Sequence, residues 1–261
     1  MPTFTQHALG TFCWPECATT DALASKKFYS DLMGWTWKEN PMGPGMTYYI
    51  AMVKDQGVGA MYVLDDHMRK LGVPPHWGSY VSVANVDETI VKAKSLGGEL
   101  LMGPHDVGDL GRSAVLRDPI GATFSVWQAK THHGIDLIGE PGSLGWTQLN
   151  ASDPDKAKAF YTGLFGWKAE DMPNPGGGSY TTWVKSDGGA GGMMPMPPDT
   201  GAPSHWLVYW TVDDARAAHA KAEALGAKTF VAPTDIPGMV TFTVLQDPQG
   251  VMFALMTPMK R

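Results

Sequence analysis

Apolar residues recur at helical spacing in four places along the chain and alternate in the manner of strands through most of the rest. Phe28, Tyr29, Leu32 and Met33 fall on one side of a helix that Asp21 can cap and Gly34 can stop. Ala157, Phe160, Tyr161, Leu164 and Phe165 repeat the stripe, with Ser152 or Asp153 as cap, Pro154 in the first turn and Gly166 at the end. Two shorter periods, Glu88–Leu96 entered through Asp87 and Ala215–Leu225, close on Gly97-Gly98 and Gly226. Burial of each large side chain contributes roughly 1.5–3 kcal/mol, so each stripe predicts a helix pinned to a sheet.

Short strand-like runs surround these helices. One near Thr11–Ala18 precedes the first helix, and Trp35–Glu39, Thr47–Val53 and Gly59–Leu64 follow it. Gly78–Val83 precedes the second, and Glu99–Met102, Ser113–Arg117 and Ala122–Gln128 follow. The second half offers Trp167–Glu170, Tyr180–Val184 and Gly191–Met194, then Leu207–Val212, Lys228–Val231, Val240–Leu245 and Val251–Met256. One strand, one helix and three strands thus occur four times, which predicts an α+β fold of four βαβββ units.

The halves are copies of each other. Asp21/Asp153, Phe28-Tyr29/Phe160-Tyr161 and Gly34-Trp35/Gly166-Trp167 lie 132 positions apart, and His76-Trp77/His205-Trp206 and Asp118-Pro119/Asp247-Pro248 lie 129 apart. The drift of three residues marks one loop of different length. Ala129–Ser143, with His132-His133, Gly134, Gly139, Pro141 and Gly142, has no apolar period and reads as a solvated linker. The expected organisation is a first domain over 1–130, a linker over 131–143 and a second domain over 144–261. Each cup-shaped sheet would come from two βαβββ units, with helices outside.

Composition narrows the function classes. With 261 residues, 43% of them hydrophobic, the chain can bury a full core, and a net charge of −6 with scattered Lys and Arg gives no basic stripe for nucleic acid or an anionic membrane. No run approaches a membrane span and Met1–Gly10 lacks a signal-peptide pattern, so cytoplasmic residence is the expectation. Cys13 and Cys17 sit four residues apart on one strand, about 13 Å, beyond the ~7 Å reach of a disulfide, and read as buried hydrophobes. The loops Asn174–Gly178 and Gly188–Gly201 lack the Gly-Lys-Ser/Thr that would cradle phosphate, although Met193, Met194 and Met196 could cover a ligand. His105, Asp106, Asp109 and Arg112 read as a solvated polar loop.

DALASKKFYSDLMGW with DPIGATFSVW in the first copy, and DPDKAKAFYTGLFGW with DPQGVMFALM in the second, resemble the vicinal oxygen chelate superfamily. That superfamily includes glyoxalase I, bleomycin- and fosfomycin-resistance proteins and extradiol dioxygenases, and the likeness is nearest to its tandem hydroxylase-like or glyoxalase-like members. The resemblance implies that each copy folds its sheet into a cup. In the enzymes a divalent metal sits on inward His, Glu or Gln residues from the first strand, the first strand of the second unit and the last strand. Glu16 and Gln148 match the first place. Gly78 and Leu207 occupy the second, and Ser125 and Ala254 the third, so two of three ligand positions are lost in each cup and no metal or cofactor is expected. A weak site on Glu16 and His76 stays open for the first cup.

Strand alternation points Phe12, Trp14, Glu16 and Ala18 inward, with Leu144, Trp146, Gln148 and Asn150 as counterparts. His76, Tyr80, Ser125 and Trp127 join the first cup, and His205 and Tyr209 the second. Rings around one or two polar groups describe a pocket for a small organic molecule. Trp14, Tyr80, Ser125, Trp127, Trp146, Gln148, His205 and Tyr209 are the candidate ligand contacts, and Glu16 and His76 the candidate catalytic groups. Three functions follow from the chain: a metal-free binding protein, an enzyme of glyoxalase (lyase), hydroxylase or dioxygenase type with Glu16 as base or partial ligand, or a scaffold whose cups are plugged. Duplication within one chain allows a monomer as well as a homodimer.

Overall fold

The computed structural model describes residues 6–43, 45–174, 177–186, 188–196 and 201–259. The first half runs β1 (Phe12–Thr19), α1 (Ala22–Met33), β2 (Thr36–Gly43), β3 (Met46–Val53), β4 (Gln56–Val63), a short helix α2 (Asp66–Lys70), β5 (His76–Ser82), α3 (Val86–Ser95), β6 (Glu99–Val107), β7 (Gly111–Arg117) and β8 (Thr123–Ala129). The second runs β9 (Leu144–Ala151), α4 (Pro154–Phe165), β10 (Lys168–Pro173), β11 (Ser179–Lys185), β12 (Gly188–Pro195), β13 (His205–Thr211), α5 (Ala215–Ala224), β14 (Lys228–Ile236), β15 (Val240–Gln246) and β16 (Met252–Pro258). Four βαβββ units are present, as the periodicity predicts.

Among the described residues the strands form two eight-stranded half-barrels, ordered β2-β3-β4-β1-β5-β8-β7-β6 and β10-β11-β12-β9-β13-β16-β15-β14. Caps set the long helices. Asp21 and Asp153 accept from the N–H of Ala24 and Lys156, and Gly34 and Gly166 end α1 and α4 at φ of 74° and 72°, where a side chain would be strained. The cap of α3 is Asn85 rather than Asp87, because Asn85 accepts from Glu88 N–H and so starts the helix two residues earlier.

The convex backs of the two sheets share one buried core. Trp210 meets Trp35 and Trp77 at ring distances of 4.8 and 4.9 Å, and Phe12 meets Trp206 at 4.9 Å. Phe12 therefore lies in this core and not in the cup. A bulge between Phe12 and Trp14 in the pairing with β5 breaks strict alternation, and the irregularity opposite Tyr209 and Trp210 does the same for Leu144. Four side chains from the Phe-Tyr and Asp-Pro motifs exchange bonds between copies. Tyr29 donates to Asp247 (3.1 Å) and Tyr161 to Asp118 (2.8 Å), while Trp77 and Trp206 donate to those same tyrosine oxygens at 2.9 Å. The Gly-Trp motifs cross as well: Trp35 donates to Gly142 O and Trp167 to Gly10 O.

Three sequence expectations change here. The segment after β8 is not solvated: Ile135 and Leu137 are buried, and the N–H groups of Ile135 and Asp136 bond Cys13 O and Gly57 O, wedging it between β1 and β4. His105, Asp106 and Arg112 belong to the β6–β7 hairpin, where Arg112 pairs with Asp87 and Asp106. Gly188–Pro195 is strand β12 and Met193 lies in the core, whereas residues 175–176 and 197–200 of the expected loops fall outside the described residues. Both cysteines are free and buried.

Tyr29→Phe or Tyr161→Phe leaves a buried aspartate short of one donor and an indole N–H without its acceptor. Each should lower the unfolding free energy by about 1.5–3 kcal/mol while keeping a single transition, as measured by urea denaturation followed by fluorescence and circular dichroism. A loss below about 0.5 kcal/mol, the range of ordinary surface changes, would contradict the exchange.

Candidate functional site

Glu16 sits at the centre of the first sheet, opposite Ala60 of β4 and Gly78 of β5. Trp14 faces Tyr80, which in turn faces Ser125 of β8, so these side chains gather on the concave side. The Glu16 carboxylate accepts from Tyr48 Oη at 2.5 Å and from Tyr80 Oη at 3.0 Å, and Tyr48 Oη accepts from Trp14 Nε1 at 2.8 Å. Desolvation raises the Glu16 pKa, and the two phenol hydrogen bonds oppose that shift in part. Burial and the field of Glu16 push both phenols well above their ordinary range, so they remain protonated donors.

His76 projects from β5 diagonally across from Glu16, over the gap left by Gly78. A Cβ on Gly78 would lie 3.8 Å from His76 Nε2, so the ring stands in contact with the position that the resemblance assigns to a metal ligand. His76 Nδ1 lies 2.8 Å from Pro74 O, and burial lowers its pKa. With the proton on Nδ1 donated to that carbonyl, Nε2 presents a lone pair.

Besides Tyr48, two residues beyond the sequence candidates complete the cup. Tyr62 of β4 is half-buried and stands in the field of Glu16. His132, from the segment expected to be solvated, stands edge-on to Trp14 at 4.6 Å and to Trp127 at 6.0 Å, while its carbonyl accepts from Trp127 Nε1. Trp127 lies over Gly111, where a Cβ would come within 2.4 Å of the ring. Trp14, His132 and Trp127 thus form a packed back wall, and the half-buried lining is Glu16, Tyr48, Tyr62, His76, Gly78 and Tyr80. Tyr48 was detectable in the sequence, since Tyr180 stands 132 positions further on.

The second cup has the same plan and a closed interior. Leu207, Tyr209 and Ala254 are 4%, 6% and 0% exposed and pack with Trp146, Phe242, Met252 and Met256. Tyr209 donates to Gln148 Oε1, Gln148 Nε2 donates to Asn150, and Asn150 lies 3.1 Å from His205 Nε2, whose Nδ1 faces Pro203 O. That chain occupies the imidazole lone pair left open in the first cup, where Ala18 stands at the position of Asn150. The tyrosines differ too. Tyr180 Oη rests where a Cβ on Gly192 would be, only 1.9 Å away, whereas Ala60 fills the corresponding place and leaves the Tyr48 hydroxyl on Glu16.

The residues at the family's metal positions do not make a ligand set. Glu16 supplies one carboxylate whose two oxygens already accept phenol protons, Gly78 supplies nothing and Ser125 a hydroxyl. Among the described residues no three His, Cys, Asp or Glu side chains converge on a point. A surface depression of about 500 Å³ lies elsewhere, lined by Leu9, Phe165, Lys168, Glu170, Val184 and Lys185. It lacks the first cup's convergence of aromatic and ionisable groups.

Because the folded state binds the Glu16 proton more tightly than the unfolded chain does, the associated stability is full below the ordinary carboxyl pKa and is lost as pH rises through the raised value. The unfolding free energy of Glu16→Gln minus that of wild type should therefore grow with pH across this window and then level off. Urea titrations at a series of pH values would show it, and a pH-independent difference would remove the desolvated carboxylate.

Comparison with known proteins follows the same two-copy outline. The family model described as Glyoxalase/Bleomycin resistance protein/Dioxygenase superfamily matches residues 12–126 and again 143–255. A protein of Mycobacterium tuberculosis provisionally named glyoxylase CFP32 is 39% identical over 259 residues, covering 99% of this chain and 98% of that one. The anthracycline biosynthesis protein DauV of Streptomyces sp. (strain C5) is 30% identical, covering 96% of this chain and 94% of its own. Among solved structures, the Mn(II)-bound glyoxalase from Novosphingobium aromaticivorans shares the fold at a TM-score of 0.65 and 17% identity, over 95% of this chain and 82% of that one. The 2,3-dioxygenase LapB from Pseudomonas sp. KL28 does so at 0.65 and 12%, over 95% and 91%. With both copies matched and relatives aligned end to end, the chain belongs to the glyoxalase/bleomycin resistance protein/dioxygenase superfamily.

Proposed function

We propose that this protein binds a small organic molecule in its first cup without a metal, and that the second cup serves as the structural counterpart. The observation that carries this reading is the contrast between cups. In the first, Glu16, Tyr48, Tyr62, His76 and Tyr80 form a half-buried polar and aromatic lining with an open imidazole lone pair. In the second, Gln148, Tyr209, Asn150 and His205 satisfy one another above a filled interior. Rings with a few convergent polar groups are the usual make-up of small-molecule sites. The anthracycline biosynthesis proteins among the relatives support an aromatic ligand. The setting assumed is cytoplasmic, as monomer or homodimer, and among the described residues no helix is long and apolar enough to cross a membrane.

A second reading is supported by the raised Glu16 pKa beside a neutral His76. These two groups suit a proton-transfer enzyme of the glyoxalase, hydroxylase or dioxygenase type, with Glu16 as the base. Turnover of an aromatic or carbonyl substrate by wild type that disappears in Glu16→Gln would favour it over simple binding.

Titration of tryptophan fluorescence with a panel of polycyclic aromatic compounds tests the binding reading. His76→Ala should weaken a responding compound by about fivefold to tenfold, the equivalent of one hydrogen bond, and His205→Ala should leave it unchanged. Equal losses in both variants, or no response across the panel, would contradict the assignment to the first cup.

A further inference from the structure

The carboxylate of Glu16 is not required by the hydrogen-bond network around it. Gln148 occupies the same place in the second copy and accepts from Tyr209 as Glu16 accepts from Tyr80. A neutral amide therefore satisfies the architecture, and the first copy instead places an ionisable carboxyl in a desolvated aromatic cup, where its charge is costly without a counter-charge. Among the described residues no Lys or Arg answers it. The groups that face Glu16 are Tyr48 of β3, Tyr62 of β4 and Tyr80 of β5, all phenols, with His76 of β5 beyond Gly78.

Direction of hydrogen bonding narrows what can supply the missing charge. The protons of Tyr48 and Tyr80 point at Glu16, the Trp14 N–H points at Tyr48 and the Trp127 N–H points at the His132 carbonyl. Those donors are engaged within the protein. The Tyr62 hydroxyl and the His132 ring N–H can still donate, but the groups around Glu16 itself that are left for a ligand are acceptors: the remaining lone pairs of its carboxylate, the Nε2 lone pair of His76 and the faces of electron-rich rings. Such a lining asks its ligand for N–H donors and positive charge, and the rings add attraction for a cation.

We propose that the first cup selects protonated primary or secondary amines carried on an apolar body, with the ammonium N–H groups donating to Glu16 and to His76 Nε2. This rests on the reading of the first cup as the ligand site and adds the charge of the ligand to it. An anion is disfavoured by the same carboxylate. A neutral molecule of equal shape keeps the ring contacts and loses the ion pair with Glu16 and the cation–π attraction.

Calorimetric titration of the full chain with three probes of one shape tests this: naphthylmethylamine, naphthylmethanol and naphthoate at neutral pH. The amine should bind about tenfold or more tightly than the alcohol, and naphthoate most weakly, the span expected of a charge-assisted hydrogen bond with a cation–π contribution. Glu16→Gln, which installs the residue the second copy already uses, should bring the amine down to within about twofold of the alcohol; its thermal melt checks the fold. Amine and alcohol binding equally to wild type, with both weakened in His76→Ala, would overturn the amine selectivity while the binding site stands. Failure of all three probes to bind would overturn the site together with the inference.

Discussion

Two hydroxyl-to-carboxylate bonds hold this molecule in its arrangement: Tyr29 on Asp247 and Tyr161 on Asp118, each made across the seam between copies. Each aspartate also fixes its own turn, since Asp118 Oδ1 accepts from Ile120 and Ala122 and Asp247 Oδ1 from Gln249 and Val251. A single carboxylate therefore positions the start of the last strand and the helix of the opposite copy. With the convex backs locked together in this way, both concave faces turn outward, and β1 and β5 carry Glu16 and His76 to the surface of the first cup. The shared core makes this a mutual arrangement in which each half completes the other.

Duplication gives the cup an internal control. The two copies agree in the Trp-to-Tyr bond, with Trp14 on Tyr48 and Trp146 on Tyr180, both at 2.8 Å, and in the tilt of each histidine onto a proline carbonyl. They part at several positions, of which three set the polar network. Glu16 stands for Gln148, Ala18 for Asn150 and Ala60 for Gly192, and together these charge the first cup, free its imidazole and bring a second phenol onto the carboxylate. None alters the sheet. The difference between the filled cup and the half-buried polar one therefore lies in these exchanges and in Gly78, Ser125 and Tyr62, where the second copy has Leu207, Ala254 and Met194.

Much of this was legible from the chain. Periodicity located the long helices, and their Asp and Gly caps fell where the spacing put them because such ends are set by local chemistry. Strand alternation placed Trp14, Glu16 and Tyr80 on one face, but it failed at Phe12, where a bulge leaves no mark in the pattern. The five-residue helix α2 was too short to show a period. His132 could not be read as part of the cup, since its role comes from backbone bonds that draw an irregular segment between β1 and β4. Tyr62 has no tyrosine counterpart in the second copy, where Met194 stands, so the internal comparison passed over it.

The central claim is that the first cup works through a carboxylate held by phenols, outside the metal chemistry of its superfamily. Metal analysis of wild type and Glu16→Ala after incubation with Mn, Fe, Ni or Zn salts and desalting tests it most directly. The account predicts the same trace content in both proteins. One equivalent of metal held by wild type and lost from Glu16→Ala would contradict it.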